Sequence, residues 1–269
     1  MTKQRPTIGV FDSGFGGLTV LKALLELIPG ADYIYFGDTA RLPYGSKSAA
    51  TVAKYAVEAV CHLEAHGADM LVIACNTATA LALNEITQAA HVPVIGVVEP
   101  GAERALATSQ NRKVVVIGTE ATISSNAYLK ALESRGMQAQ EKACPLFVPL
   151  VEEGWVEHPV TEQVARIYLN EAFVGDFQNA DVLLLGCTHY PLIQPLLRRV
   201  VPSHVRIVDS AESTAQVVAE KLALNSSKAV TPASKLQFFA TDSTEKFRRL
   251  GARFLGRAIE SVQLVDLKE

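Results

Sequence analysis

Cys75 and Cys187 stand in matching frames. Ala68-Asp69-Met70-Leu71-Val72-Ile73-Ala74-Cys75 reads against Ala180-Asp181-Val182-Leu183-Leu184-Leu185-Gly186-Cys187, with Ala, Asp, Leu and Cys in register. In each copy an apolar run meets a small residue, then the cysteine, then polar residues that open a helix. A thiol at a helix N-terminus meets free amides and the positive end of the dipole. These are expected to lower its pKa from about 8.5 toward neutrality. Two thiols facing each other across a cleft have a specific use. One, as thiolate, takes a proton from a carbon held between them, and the other returns one to the opposite face. That inverts a stereocentre. The α-proton of an amino acid is weakly acidic, so such a site must also stabilise charge and exclude water. The competing reading is that both are core thiols, but their matched placement argues against it. Cys61 lies opposite the apolar stripe of its helix and Cys144 precedes Pro145, so both read as structural. There is no CxxC and no Cys/His pair with zinc spacing, so no metal is expected.

Other polar groups fall at strand ends. Asp12-Ser13-Gly14-Phe15-Gly16-Gly17 opens a helix, and a glycine-rich turn there suits an anion. It matches neither dinucleotide nor P-loop spacing, so a carboxylate is as good a guest as a phosphate. Asp12 reads as a partner for an amine, an acid-base helper or a helix N-cap. Pro43-Tyr44-Gly45 lies on a long loop and is by composition a turn. Thr119, Thr122 and Ser124 follow another strand, and Thr122 either caps a helix or binds a carboxylate. Glu152 sits among apolar residues that would raise its pKa. Of the six histidines only His189, two residues past Cys187, lies within a motif. There it could tune the thiol.

The elements that must position these groups alternate in type. Strand candidates are Thr7–Phe11, Tyr33–Gly37, Met70–Ala74, Val94–Val98, Val114–Gly118, Val182–Gly186, Val205–Val208, Leu236–Ala240 and Val262–Leu267. Helical periodicity marks Leu18–Ile28, stopped by Pro29-Gly30, and Ser48–His66. Asp242-Ser243-Thr244-Glu245 looks like a capped helix start. The alternation predicts an α/β fold with mostly parallel sheet, whose ligands bind at the carboxyl ends of strands. Ile8–Ser13 precedes Cys75 much as Val114–Thr119 precedes Cys187, and Val94–Val98 and Val205–Val208 follow at matching distances. The chain therefore reads as two pseudo-symmetric α/β domains with the site in the cleft between them. The expected division is 1–97 with 208–269, carrying Cys75, and 98–207, carrying Cys187. The most loop-like stretch, Asn225-Ser226-Ser227-Lys228, lies too late to separate equal halves.

The 269 residues are 49% hydrophobic and 20% charged, with net charge -3, which suits a large core and gives no nucleic-acid or membrane footprint. The apolar run Ile8–Phe11 is shorter than the roughly 7–15 residues of a signal peptide, and no stretch reaches the about 20 of a membrane span. The expectation is a cytoplasmic protein with reduced thiols.

Four segments together resemble the glutamate racemases of the aspartate/glutamate racemase family: Asp12–Gly17, Pro43-Tyr44-Gly45, Ala74-Cys75-Asn76-Thr77-Ala78 and Leu185-Gly186-Cys187-Thr188-His189-Tyr190-Pro191. They occur in the family's order across most of the chain. Aspartate racemases usually begin with a Gly-Gly-Met-Gly type loop and carry an acidic residue after the second Cys-Thr. Asp12–Gly17 and His189 are instead similar to the glutamate branch. The resemblance implies cofactor-independent interconversion of L- and D-glutamate by two cysteines, supplying D-glutamate for peptidoglycan. It implies that Cys75 acts on D-glutamate and Cys187 on L-glutamate, assisted by Asp12, Glu152 and His189. Asp12, Ser13, Pro43, Tyr44, Gly45, Asn76, Thr77, Thr188 and His189 would line the substrate, with Thr119 and Thr122 as additions. A homodimer is the usual assembly. The rivals are an aspartate or other amino-acid racemase, a thiol redox protein that forms a Cys75–Cys187 disulfide, and a non-catalytic binder of small anions.

Overall fold

The computed structural model describes residues 5–222 and 233–267, and Asn225–Lys228 lies outside them. Ten strands are present among these residues: β1 Thr7–Asp12, β2 Asp32–Gly37, β3 Met70–Ile73, β4 Val94–Gly96, β5 Lys113–Gly118, β6 Gln138–Ala143, β7 Val182–Gly186, β8 Arg206–Asp209, β9 Leu236–Ala240 and β10 Gln263–Leu264. They form two sheets, one ordered β10-β9-β2-β1-β3-β4 and the other β6-β5-β7-β8. Every neighbouring pair runs parallel. The order β2-β1-β3-β4 repeats as β6-β5-β7-β8, so the echo in the sequence is an echo in topology. Each cysteine follows the strand beside the first strand of its own unit. β9 and β10 extend only the first sheet.

The inner strands β1, β2 and β5 are buried beyond their first residue. β3 and β7 show no half-exposed residue, so they read as continuous apolar runs rather than alternating ones. The helix Ala49–Ala65 begins where the Ser48 hydroxyl accepts the Thr51 amide at 3.4 Å. It buries Val52, Ala56, Ala59, Val60 and Leu63, spaced at one helical face. The helix Leu18–Leu27 buries Leu18, Val20, Leu21 and Leu24 and ends before Pro29. No helix among the described residues is long and apolar enough to cross a membrane.

Several boundaries differ from expectation. β6 is absent from the strand candidates because Gln-Ala-Gln-Glu-Lys-Ala carries no apolar signal. It pairs on one side only, at the sheet edge, where charged residues are favoured. β4 stops at Gly96 because Val98 already begins the helix Val98–Thr108. Of Val262–Leu267 only Gln263 and Leu264 pair with β9. The helix Thr244–Leu255 starts where expected, but Ser243 is left-handed (φ 50°) and does not cap it. Instead the Asp242 carboxylate accepts the Ser243 amide at 2.7 Å, while the Thr39 hydroxyl donates to the Asp242 carbonyl at 2.6 Å. The loop after β2 thus holds this turn.

Candidate active site

Cys75 and Cys187 line one cavity of about 30 Å³ between the carboxyl ends of the two sheets. Ser13, Pro43, Tyr44, Gly45, Asn76, Thr77, Thr119, Thr188 and His189 line it as well, joined by Leu42 and Val148. It adjoins a wider cleft of about 340 Å³ bordered by Leu42, Pro43, Thr119, Val148, Pro149 and Glu152. Strand geometry explains the convergence. Ser13, Cys75, Thr119 and Cys187 lie just past β1, β3, β5 and β7, the paired inner strands of the two sheets.

The two thiols have unequal settings. Cys75 is the N-cap of the helix Asn76–Ala89, its sulfur accepting the Ala78 amide at 3.4 Å and donating to the Ser13 hydroxyl at 3.5 Å. Cys187 is followed not by an α-helix but by a tight turn and the 3₁₀ segment Tyr190–Ile193. Pro191 and Pro195, which lack amide donors, bring the α-helix in only at Gln194–Val200. Cys187 faces His189 Nδ1 at 4.0 Å. Burial pushes the Cys75 thiol up to about 11, Asp12 adds to the rise, and Ser13 and the Ala78 amide pull it back. Burial likewise raises Cys187 well above the ordinary thiol value, against the His189 backbone amide. The expected drop toward neutrality is therefore not found. Both sulfurs are nearly fully covered, and loss of water outweighs the helix-end field.

Asp12 lies beneath the glycine-rich turn, where its Oδ2 accepts the Gly14 amide at 2.9 Å. The anion that this turn holds is the protein's own carboxylate, and Asp12 is not an N-cap: the helix begins after Gly17 without a side-chain cap. Burial raises its pKa, with His189 and the Gly14 and Gly17 amides lowering it in part. Its Oδ1 is buried with no hydrogen-bond partner, and Asp12, expected among the substrate-lining residues, lies behind Ser13 rather than on the cavity wall.

Glu152 ends the helix Phe147–Glu152, and its Oε1 lies 3.4 Å from His189 Nε2. The expectation of a raised pKa is overturned. Burial acts upward, but His189 and Lys246 outweigh it, and the carboxyl ends below its usual value. Thr119, not Thr122, caps the helix Glu120–Ser124. The Thr77 hydroxyl lies 2.9 Å from that of Thr119 and 3.2 Å from that of Thr122, so a cluster of three hydroxyls spans the two halves. Thr122 sits behind the cavity rather than on it. Tyr44 lines the cavity, but its hydroxyl donates to Asp38 Oδ2 at 2.5 Å.

A profile described as Asp/Glu/Hydantoin racemase matches residues 8–218. The chain belongs to the Asp/Glu/Hydantoin racemase family. A glutamate racemase of Koribacter versatilis is 60% identical over 99% of both chains, and one of Geobacter metallireducens is 46% identical over 97% of both. The crystal structure of glutamate racemase from Francisella tularensis in complex with D-glutamate aligns with TM-score 0.88 at 37% identity, over 98% of each chain. The isoform RacE1 of Bacillus anthracis aligns with TM-score 0.91 at 37% identity, over 98% of this chain and 99% of that one.

Within this family fold, three residues around the site have no local signature in the sequence. Asp38 is fully buried, accepts from Tyr44 and from the Thr241 hydroxyl at 2.8 Å, and so fixes the Pro43–Gly45 loop. Tyr128, buried on the second half, donates to Asn76 Oδ1 at 2.6 Å across the cleft. Lys246 Nζ reaches Glu152 Oε2 at 3.3 Å. Each partner is distant along the chain or on the far side of a turn, so only the fold brings them together.

Proposed function

We propose that this protein interconverts L- and D-glutamate by a two-base mechanism in which Cys75 and Cys187 serve opposite faces of Cα. The observation that carries the reading is the pair of buried thiols at equivalent strand ends of two repeated units, lining one cavity. The family membership and the relatives at 60% and 46% identity, both glutamate racemases, support the choice of substrate.

The chemistry follows from the surroundings. In the L-to-D direction Cys187, as thiolate, takes the α-proton and Cys75, as thiol, delivers one to the other face. The roles reverse for D-glutamate. His189 accepts and returns the Cys187 proton, and Glu152 steadies the imidazolium. Asp12 Oδ1, buried and unpaired, receives the substrate ammonium. That positive charge also brings down the two thiol pKa values at the moment of reaction. Ser13, Asn76, Thr77, Thr188 and backbone amides hold the carboxylates, with Thr119 and Thr122 organising that wall. No redox step or cofactor enters this scheme.

The cavity holds about one water's share of volume, and glutamate needs several times that. Entry therefore requires the half built on the first sheet to part from the half built on the second, the cleft beside Pro149 and Glu152 being the way in. Closure then removes water from the carbanion. D-glutamate made in the cytoplasm would feed peptidoglycan assembly, and a homodimer is the assembly the reading expects.

Turnover in D2O tests this directly. Deuterium should enter at Cα as optical activity is lost from either enantiomer of glutamate, and far more slowly from aspartate. Absence of both exchange and racemisation with glutamate would overturn the reading. A reversible Cys75–Cys187 disulfide without turnover would favour the redox alternative.

A further inference from the structure

Lys246 occupies the first turn of the helix Thr244–Leu255. A cation there opposes the helix dipole, which favours acidic residues at that end. Helix stability therefore gives no reason for a lysine. What it touches does. Its Nζ lies 3.3 Å from Glu152 Oε2 and 5.6 Å from the centre of the Phe15 ring. Glu152 Oε1 lies 3.4 Å from His189 Nε2, and His189 Nδ1 lies 4.0 Å from Cys187 Sγ. A single line of groups runs from the half-exposed ammonium to the buried thiol.

This line crosses between the halves of the protein. The helix Thr244–Leu255 follows β9 of the first sheet, whereas Glu152 and His189 follow strands of the second. The same helix places Phe254 edge-on against the His189 ring, with centroids 5.1 Å apart. Lys246 and Phe254 are two turns apart on one face, so one helix holds both ends of the Glu152–His189 pair. Glu152 is largely covered, with 16% of its side chain exposed, so an opposing charge acts on it with less screening than at an open surface. The titratable groups nearest it are His189, Lys246 and, more distantly, Asp12, while the Arg253 guanidinium of the same helix packs on Gly154, two residues further along.

We propose that Lys246 is a positioning residue for the Cys187 half of the reaction, keeping Glu152 ionised and aimed at His189 so that the imidazole can exchange a proton with Cys187. The inference rests on the two-base reading above. It assigns Cys187 a supporting line that reaches the surface, whereas the groups acting most strongly on Cys75, namely Asp12, Ser13 and the Ala78 amide, are themselves buried.

Lys246→Met keeps the aliphatic stem and removes the charge, and Lys246→Arg restores it. Three readouts apply. The acid limb of kcat/KM against pH should rise by about half a unit in the methionine variant, because Glu152 then protonates more easily. The primary isotope effect should grow with α-deuterated L-glutamate, whose proton Cys187 takes, and shrink with α-deuterated D-glutamate. Slowing one proton transfer makes it the more limiting step. The carbon-13 resonance of the Glu152 carboxyl, assigned with Glu152→Gln, should titrate higher in Lys246→Met and return toward the wild-type value in Lys246→Arg. Isotope effects unchanged for both enantiomers, or a Glu152 titration that does not move, would overturn the proposal. A wild-type enzyme that fails to exchange glutamate would sink the two-base reading instead, with the carboxyl titration still deciding whether Lys246 governs Glu152.

Discussion

Gly16 and His189 are packed against each other across the two halves of the protein: a Cβ on Gly16 would stand 2.6 Å from His189 Nδ1 and closer still to the Thr188 hydroxyl. The backbone at Gly16 is not left-handed, so space rather than torsion demands glycine there. Nearby, the Thr19 hydroxyl donates to the Gly16 carbonyl at 2.9 Å and lies 3.5 Å from the Thr188 carbonyl. The glycines of this turn thus serve close approach of the second half and leave room for Asp12 beneath.

Gly16→Ala should therefore wedge the closed site. Overpacking of this kind costs about 1–3 kcal/mol. The expected result is a folded protein with kcat/KM for glutamate lowered about tenfold or more and a melting temperature lower by several degrees. Circular dichroism melts and steady-state kinetics check it, and an unchanged kcat/KM would mean that the contact relaxes freely.

Tyr128→Phe probes the other bridge between the halves. Removing the hydroxyl leaves Asn76 Oδ1 without its 2.6 Å donor and frees the amide to turn. A buried acceptor left unpaired costs about 1–3 kcal/mol. KM should rise more than kcat falls, by about three- to tenfold, if the Asn76 amide binds substrate. A loss confined to thermal stability would give Tyr128 a purely structural role.

Alkylation separates the four thiols. Cys61 is exposed, whereas Cys75, Cys144 and Cys187 are buried. With a pKa of about 11, Cys75 is about 0.1% thiolate at pH 8. Brief iodoacetamide treatment at that pH should modify Cys61 first and leave racemisation intact, as peptide mass spectrometry would show. Rapid labelling of Cys75 would mean that the cleft opens far more often than its packing implies.

The thiols also mark where sequence reasoning holds and where it stops. Cys75 and Cys187 are legible because each ends an apolar run long enough to be a central strand, and the second run repeats the first. β6 is not legible because an edge strand needs no apolar face. The helix-end field that local sequence shows points the wrong way for the thiol pKa values, because burial, the larger effect, depends on the other half of the chain. Glu152 fails in the opposite sense: its apolar neighbours are visible, but His189 and Lys246, 37 and 94 residues on, are not. Asp38 and Tyr128 belong with these, since each acts through a partner that only folding supplies.

His62 gives a pH prediction remote from the site. Its ring lies 4.1 Å from that of His66 and packs on Phe36 and Phe239, at 5.2 and 4.9 Å. Burial, then the neighbouring His66, lowers its pKa to about 4. The unfolded chain takes up this proton near 6.5, so between about 6.5 and 4 it binds more protons than the folded one. Stability from this group is complete above the unfolded value and is lost as pH falls toward the folded one. The urea midpoint should fall between pH 7.5 and pH 5 in the wild type and fall less in His62→Gln, whose side chain does not titrate. Equal losses in the two proteins would show that His62 protonates in the folded state as readily as in the unfolded chain.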